Sequence, residues 1–359
     1  MSDLKAAKAN AITPQANLNR RDALKKVVGL AGAAIVPGSM LAPAVVRAAD
    51  TRKFKYKLAI SLSDKHPIPI GLKAACADIL RESDGRLDIQ VFSNGQLGSD
   101  TDTIAQVRSG AIDFVSTAGL VWGTLVPVAS INVAAFAFPD YQTVWNAMDG
   151  ELGAHIRNAF AKVNLVPQAK IWDHGFRHVT TSGKGISVPQ DLAGLKIRVP
   201  VSPMLTSLFK SLGAAPANIN YGELYTALQT KIVDGQENPL AVVETAKLYE
   251  VQKSCSLTSH AWDGFWLCAN KRSWEALPED LRQLANRTFD AHAMKERVEN
   301  AALNASLVES LKGRGMAFNS VDGKPFRANL QKAGYYAEWK QKLGPEAWAI
   351  LEKYSGRLA

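Results

Sequence analysis

The feature that most constrains the fold of this chain is a helical pattern that runs without interruption from residue 278 to residue 312. After Pro278 it contains neither proline nor glycine, the residues that break or weaken helices. An α-helix rises ~1.5 Å per residue, so roughly 35 residues would span ~50 Å. That length exceeds one small domain, and we expect the helix to brace two.

Near the start, a second pattern predicts a parallel sheet. Apolar runs at 54–62, 86–92 and 111–116 are typical of strands, and helical segments at 68–82 and 100–109 separate them. Alternation of strands and helices predicts an α/β fold with a doubly wound beginning.

The rest of the chain is less regular. Strands are predicted at 165–172 and 197–199, and a helix at 203–212. Residues 254–259 and 265–269 resemble the two arms of a hairpin. Two shorter helices are expected after the long one.

The first 49 residues are typical of an export signal. Residues 19–25 (NRRDALK) resemble a twin-arginine motif, and an apolar stretch follows at 27–40. Small residues then predict cleavage near Ala48 or Ala49. The alternative is an uncleaved membrane anchor, for which the stretch is barely long enough. We predict a twin-arginine signal peptide over 1–49 and a mature protein in the periplasm.

Charge excludes a nucleic-acid partner. The net charge of the 359 residues is +9, but residues 1–49 hold seven Lys and Arg against two Asp and therefore account for +5 of it. The remaining +4 is spread over the chain without a long basic block, so no nucleic-acid surface is predicted.

Three cysteines limit thiol chemistry. Without a Cys-x-x-Cys pair, a tetrathiolate metal site is excluded. Cys76 lies on an apolar helical face and is expected in the core. Cys255 and Cys268 flank the predicted hairpin and could form a disulfide in an oxidising compartment; two separate buried thiols are the alternative.

Motifs of common enzyme classes are absent from the sequence. It contains no His-Glu-x-x-His, Gly-x-Ser-x-Gly, Walker or Gly-x-Gly-x-x-Gly motif. His174 and His178 are four residues apart, but Gly175 lies between them in a context that is not helical. We therefore predict a protein that is not an enzyme and that needs neither cofactor nor metal.

An arginine and an asparagine forty residues apart point to anion binding. Arg198 lies in a short strand-like run at 194–200 (GLKIRVP), and Asn238 lies in a turn at 234–239 (DGQENP). An amphipathic helix is predicted between them at 221–230. A guanidinium held by a strand presents a rigid fork of donors that matches a carboxylate.

These segments, together with residues 95–98 (GQLG) and 110–114 (GAIDF), resemble the solute-binding proteins of TRAP-type (tripartite ATP-independent periplasmic) transporters. The resemblance extends over nearly all of residues 53–355. It implies that Arg198 clamps the carboxylate of an organic acid and that Asn238 helps to hold it. For Asn238, a turn cap before Pro239 is the alternative.

The resemblance also implies a two-lobed periplasmic binding-protein fold with a cleft that closes about a hinge. Lobe I is expected to comprise 50–174 and 264–303, and lobe II 175–263 and 304–359. The closed form would deliver the acid to permease subunits in the inner membrane.

Further binding residues are predicted around this clamp. Arg177 is a second candidate anion contact, with a surface salt bridge as its alternative. Tyr221 is placed against the ligand by the resemblance, and Asp263 could receive a ligand hydroxyl. His174 occupies a position that is often polar in related sequences. Three tryptophans are expected to line the pocket unless they belong to the core: Trp122, Trp172 and Trp262.

One departure bears on the ligand. Sialic-acid-binding members carry a glutamate after the segment that here ends at Phe114, whereas this chain continues with residues 115–119 (VSTAG). An aromatic, keto or sugar-derived acid is therefore expected instead of sialic acid. The rival interpretations are a ligand sensor for a signalling receptor and an enzyme exported by the twin-arginine route.

Overall fold

The computed structural model describes residues 52–358, so the predicted signal peptide at 1–49 lies outside the described residues. The strands in this range are β1 (Phe54–Ala59), β2 (Leu87–Phe92), β3 (Phe114–Ala118), β4 (Leu165–Pro167), β5 (Trp172–Thr181), β6 (Lys196–Val199), β7 (Ala215–Asn218), β8 (Gly235–Asn238), β9 (Ser254–Asn270) and β10 (Ala317–Ser320).

The helices are α1 (Pro67–Glu82), α2 (Asp100–Ser109), α3 (Gly119–Trp122), α4 (Tyr141–Met148), α5 (Glu151–Ala161), α6 (Pro203–Ser211), α7 (Leu224–Gln229), α8 (Leu240–Thr245), α9 (Lys271–Ala276), α10 (Glu279–Gly313), α11 (Gly323–Lys332), α12 (Tyr335–Leu343) and α13 (Pro345–Ser355). The predicted α/β class is confirmed. None of the helices among residues 52–358 is both long enough and apolar enough to cross a membrane.

One sheet runs through the molecule in the order β2-β1-β3-β9-β5-β8-β6-β7, and β4 and β10 also pair with β9. We call β1 to β4 the first half of the sheet and β6, β7, β8 and β10 the second half. Each half has a parallel core, β2-β1-β3 in the first and β7-β6-β8 in the second. The long strands β5 and β9 pair antiparallel and join the halves.

The predicted βαβαβ start is confirmed, and its second helix has clear ends. Ser99 and Asp102 form a capping box at the start of α2, which satisfies backbone N–H groups of the first turn. Gly110 ends the helix in the left-handed conformation, with φ +83°. These caps fix Asp100 as the first residue of α2.

The predicted hairpin at 254–259 and 265–269 is wrong, because β9 is one continuous strand of 17 residues. The turn signal was Gly264, but this glycine serves close packing. A Cβ there would lie 2.6 Å from Trp262 and 2.7 Å from Ile171. Glycine thus lets β9 run straight where a side chain would clash.

The disulfide between Cys255 and Cys268 is also wrong. Both residues lie on β9, 13 positions apart, which corresponds to ~43 Å at ~3.3 Å per residue. A disulfide needs its Cα atoms within about 7 Å. Both are buried free thiols. Burial raises the pKa of Cys255 to about 12, so this thiol stays protonated.

The predicted long helix is confirmed as α10, with 35 residues. It contacts α1 beside the first half of the sheet, where His292 Nε2 lies 2.8 Å from Asp78. It also contacts α8, which follows the second half: the Ala241 N–H donates to Asn304 Oδ1 at 3.2 Å. The helix therefore packs against elements of both halves, as its length predicted.

Three short helices end the chain instead of the predicted two. Gly334 adopts φ +77° between α11 and α12 and so separates these two helices. Two other boundaries also differ. The strand predicted at 165–172 is divided between β4 and β5, and the helix predicted at 221–230 is a 3-10 turn, Tyr221–Glu223, followed by α7.

Candidate functional site

An inner cavity of about 30 Å³ receives residues from both halves of the sheet. Ligand pockets usually occupy roughly 300–1,000 Å³, so this space is much smaller than a typical ligand pocket. Five of the predicted site residues belong to its lining: His174, Arg177, Arg198, Tyr221 and Asn238. The other lining residues are Ser61, Leu62, Asp100, Ala118, Leu120, Val121, Pro200 and Phe265.

Arg198 is the buried charge without a counter-ion in this lining. It lies on β6 with 2% of its surface exposed, and its Nε donates to the Ile219 carbonyl at 2.8 Å. Among residues 52–358, no hydrogen bond or ion pair engages its two terminal nitrogens. Burial lowers the pKa of Arg198 to about 10, which leaves the guanidinium charged at neutral pH.

Arg177 is instead paired by the protein. Its Nε donates to Glu237 Oε2 at 2.5 Å and its Nη2 to Oε1 at 2.8 Å, a bidentate arrangement with both side chains buried. The salt bridge named as the alternative for Arg177 is present, but it lies in the interior and not at the surface. Arg177 also lines the inner cavity, and its contact with an anion stays a prediction. Burial alone would raise the pKa of Glu237, but the Arg177 charge lowers it to about 2.

The same ion pair orients Asn238. Its Oδ1 accepts from Arg177 Nη2 at 3.2 Å, and its Nδ2 donates to Gln236 Oε1 at 2.5 Å. Asn238 is the last residue of β8, which precedes Pro239. Its amide is therefore held in one direction at the edge of the cavity by neighbours on β5 and β8.

Asp263 lies behind Arg177 and is not among the lining residues. Its Oδ2 is 3.4 Å from Arg177 Nη1, and its Oδ1 accepts from Asn132 Nδ2 at 3.1 Å. Burial raises the pKa of Asp263 to about 6, although the Arg177 charge opposes the shift. In this structure it supports Arg177 from the interior.

The three tryptophans lie outside the lining, contrary to the expectation. Trp122 packs edge-on against Phe160 at 5.0 Å, and Trp262 donates its Nε1–H to Asp173 at 2.9 Å. Trp172 lies against Gly71, where a Cβ would come within 2.6 Å of its ring. Strand alternation explains Trp262: it is three positions from Phe265 on β9, so the two side chains leave opposite faces.

Sequence reasoning missed several residues of the site. Asp100 lines the cavity and accepts from Thr117 Oγ1 at 2.8 Å. Burial raises the pKa of Asp100. A signal for Asp100 was available, because it lies two residues after the GQLG segment. Glu237 was inside the DGQENP motif, but the motif was used only to predict Asn238.

An outer cavity of about 350 Å³ adjoins the inner one. The two share Ser61, Asp100 and Tyr221. The outer walls carry hydroxyl, amide and carboxylate groups from the following residues: Ser63, Asn94, Ser99, Asn220 and Glu223. A ligand with an acid group and a polar tail would meet the guanidinium groups of the inner cavity and then the hydroxyl, amide and carboxylate groups of the outer one.

Comparison with known proteins identifies the family. The family described as bacterial extracellular solute-binding protein, family 7, matches residues 58–341. The chain belongs to this family. It is 32% identical over 251 residues to the 2,3-diketo-L-gulonate-binding periplasmic protein YiaO of Escherichia coli, covering 69% of this chain and 76% of that protein.

Comparison with a solved structure indicates the same family of solute-binding proteins. A TRAP periplasmic solute-binding protein from Polaromonas sp. JS666, bound to D-erythronate, superposes with a TM-score of 0.79 at 30% identity. The match covers 83% of this chain and 98% of that one. The chain is also 36% identical over 220 residues to the uncharacterized protein y4mM of Sinorhizobium fredii, of whose length it spans 40%. The predicted resemblance to TRAP solute-binding proteins and the two-lobed fold are confirmed.

Replacing Glu237 with glutamine should test the central ion pair. Glu237→Gln keeps the side-chain shape but removes the charge that compensates Arg177. We expect the free energy of unfolding at pH 7 to fall by roughly 3–5 kcal/mol, because a buried guanidinium loses its counter-ion. Urea denaturation followed by tryptophan fluorescence measures the loss.

The loss should depend on pH. The folded-state pKa of Glu237, about 2, lies below the ordinary 4.5, so its contribution is complete above pH 4.5 and disappears as pH falls towards 2. The difference in the free energy of unfolding between the wild type and Glu237→Gln should therefore become smaller as the pH falls from 4.5 towards 2. Glu151→Gln, which breaks an exposed pair with Lys353, should cost at most about 1 kcal/mol. Equal losses in the two variants would contradict the assignment.

Proposed function

We propose that this protein captures a small organic acid outside the cytoplasm and delivers it to a TRAP-type membrane permease. The observation that carries the proposal is the buried guanidinium of Arg198, whose terminal nitrogens have no partner among residues 52–358. Burying an uncompensated charge is costly. A carboxylate bound by the guanidinium fork would remove that cost.

The ligand is proposed to be a sugar-derived or keto acid with one carboxylate. Relatives that carry the same fold bind 2,3-diketo-L-gulonate and D-erythronate, according to their names. The polar groups of the outer cavity suit a hydroxylated tail. Asp100, which both cavities share, would repel a second carboxylate and accept a hydrogen bond from a hydroxyl.

Binding without chemical conversion fits the arrangement. The relatives are periplasmic binding proteins by name. In the lining of the inner cavity, Arg198 and Asn238 carry hydrogen-bond donors, and six of the other lining residues are apolar: Leu62, Ala118, Leu120, Val121, Pro200 and Phe265. We therefore infer that ion-gradient coupling belongs to the permease and not to this chain.

Arg198 is expected to provide most of the affinity. Arg198→Ala should weaken binding by roughly 2–5 kcal/mol, or about 30- to 5,000-fold. Arg198→Lys should also weaken it, because an ammonium lacks the planar fork. Calorimetric titration with D-erythronate, D-gluconate and 2-keto-D-gluconate measures both effects.

A matched control removes an arginine elsewhere. Arg287 is exposed on α10, and its Nη2 lies 3.3 Å from the Glu82 carboxylate. Arg287→Ala changes the net charge equally and should leave the affinity unchanged. Wild-type affinity in Arg198→Ala, or an equal loss in both variants, would refute the proposed clamp.

Ligand entry is proposed to require separation of two lobes, I (50–174 and 264–303) and II (175–263 and 304–359). The small volume of the inner cavity supports lobe separation, since a sugar acid needs far more than 30 Å³. The proposed boundary at 174/175 coincides with a register shift in the β5–β9 pairing, and Gly175 adopts φ +114°. Only a ligand that touches both lobes favours closure.

Small-angle scattering tests this motion. Saturating D-erythronate should reduce the radius of gyration of the wild type, because the closed state is selected. Arg198→Ala should stay extended at the same concentration. If the wild type binds the acid with no change in its scattering profile, the hinge proposal is wrong even though binding stands.

Periplasmic localisation and partnership with inner-membrane permease subunits are also proposed. Their support is the family and the twin-arginine motif at Arg20 and Arg21. Changing both arginines to lysine should leave the protein in the cytoplasmic fraction, since the export pathway reads the arginine pair. Cell fractionation with immunoblotting measures how much of the variant reaches the periplasm. An amount equal to that of the wild type would exclude export by the twin-arginine route.

A further inference from the structure

Two buried histidines next to the inner cavity have unused ring nitrogens. His66 and His174 are 0% and 3% exposed, and their ring centroids lie 5.6 Å apart. Within the described residues, the Nε2 atoms of both rings have no hydrogen-bond partner. Unsatisfied polar atoms at such depth are uncommon and costly, so they call for an explanation.

The contacts of His66 show that its free nitrogen is a donor. His66 caps the start of α1, where its Nδ1 accepts from the Ile68 backbone N–H at 3.2 Å. A neutral imidazole that accepts through one nitrogen carries its proton on the other. Nε2 of His66 is therefore an N–H group, on the ring edge that faces away from α1.

His174 has the same tautomer. Its Nδ1 lies 3.4 Å from Nη1 of Arg177, which can only donate, and 3.5 Å from Asp263 Oδ2, to which no hydrogen bond from His174 is found within the described residues. Nη1 has two protons, and the second faces Asp263 Oδ2 at 3.4 Å. Nδ1 of His174 therefore accepts, and Nε2–H remains as an unpaired donor on a residue that lines the inner cavity.

Neither imidazole contributes a positive charge. Burial lowers the pKa of His66 well below its usual value, and the neighbouring His174 lowers it further. Burial and then the Arg177 charge lower the pKa of His174 in the same way. The pair offers two neutral N–H donors, distinct from the cationic fork of Arg198.

We propose that His174, against whose ring His66 packs, donates its Nε2–H group to an oxygen on the carbon next to the ligand carboxylate, so that the site selects 2-keto and 2-hydroxy acids. The inference rests on the proposed function. The inner cavity is so small that a carboxylate held by Arg198 leaves room only for the adjoining carbon and its substituent. An acceptor oxygen there satisfies a donor that the protein leaves unpaired, whereas a methylene does not.

The test compares D-erythronate with its 2-deoxy counterpart, 3,4-dihydroxybutanoate, by calorimetry at pH 7.5. Both acids keep the carboxylate and the outer hydroxyls, so only the oxygen at carbon 2 differs. The wild type should bind D-erythronate about tenfold or more tightly, because the deoxy acid leaves a buried donor unsatisfied. A ratio near one would overturn the inference.

Variants of His174 form a matched pair. His174→Asn keeps an acceptor near the Nδ1 position, facing Arg177, but has no group at the Nε2 position. His174→Gln places an amide N–H near Nε2. The preference for D-erythronate should collapse in His174→Asn and persist in His174→Gln. A merely structural role would affect both acids alike and leave the ratio unchanged.

For His66, asparagine is the suitable replacement because it retains a helix cap. His66→Asn should leave the affinity ratio close to that of the wild type, because His66 does not line the inner cavity, whereas His174→Asn should bring the ratio near one while both acids still bind through Arg198. A preserved ratio in His174→Asn would overturn this inference and leave the proposed function standing. If the wild type bound none of the acids, the proposed function would fail and this inference with it.

Discussion

The site depends on the buried ion pair between Arg177 and Glu237. Two arginines lie close together in the interior, and their mutual repulsion would be severe without compensation. Glu237 neutralises Arg177 through two hydrogen bonds of 2.5 and 2.8 Å. That pairing leaves Arg198 as the one arginine of the lining that the described residues do not neutralise. Glu237 therefore determines which arginine is paired within the protein, Arg177, and which is left for a ligand, Arg198.

The strands β5 and β9 explain why these residues meet. Arg177 lies on β5, which pairs with β9 on one side and with β8, which carries Glu237, on the other. Continuity of β9 through Gly264 lets one strand pair with both halves of the sheet, and a side chain at this position would strike Trp262 and Ile171. A single long strand thus fixes charges from both halves around one cavity.

How much the sequence could predict depended on how local the signal was. Periodic patterns and caps predicted β1 to β3, α2 and α10, since each follows from neighbouring residues. Arg198 and Asn238 were found through their motifs. By contrast, a glycine such as Gly264 is typical both of a turn and of a strand that packs closely against its neighbours. Only the tertiary packing distinguishes these two cases. The pairing of Arg177 depends on a residue sixty positions away, which no local pattern reveals.

The chemistry of the lining also separates two kinds of donor. The fork of Arg198 attracts any carboxylate through its charge, so it cannot by itself distinguish one acid from another. Neutral donors such as Nε2–H of His174 add little attraction over distance but penalise a ligand that leaves them unpaired. Affinity and selectivity can therefore reside in different residues of one small cavity. In such a site the unsatisfied groups of the protein define the ligand as clearly as its filled contacts do.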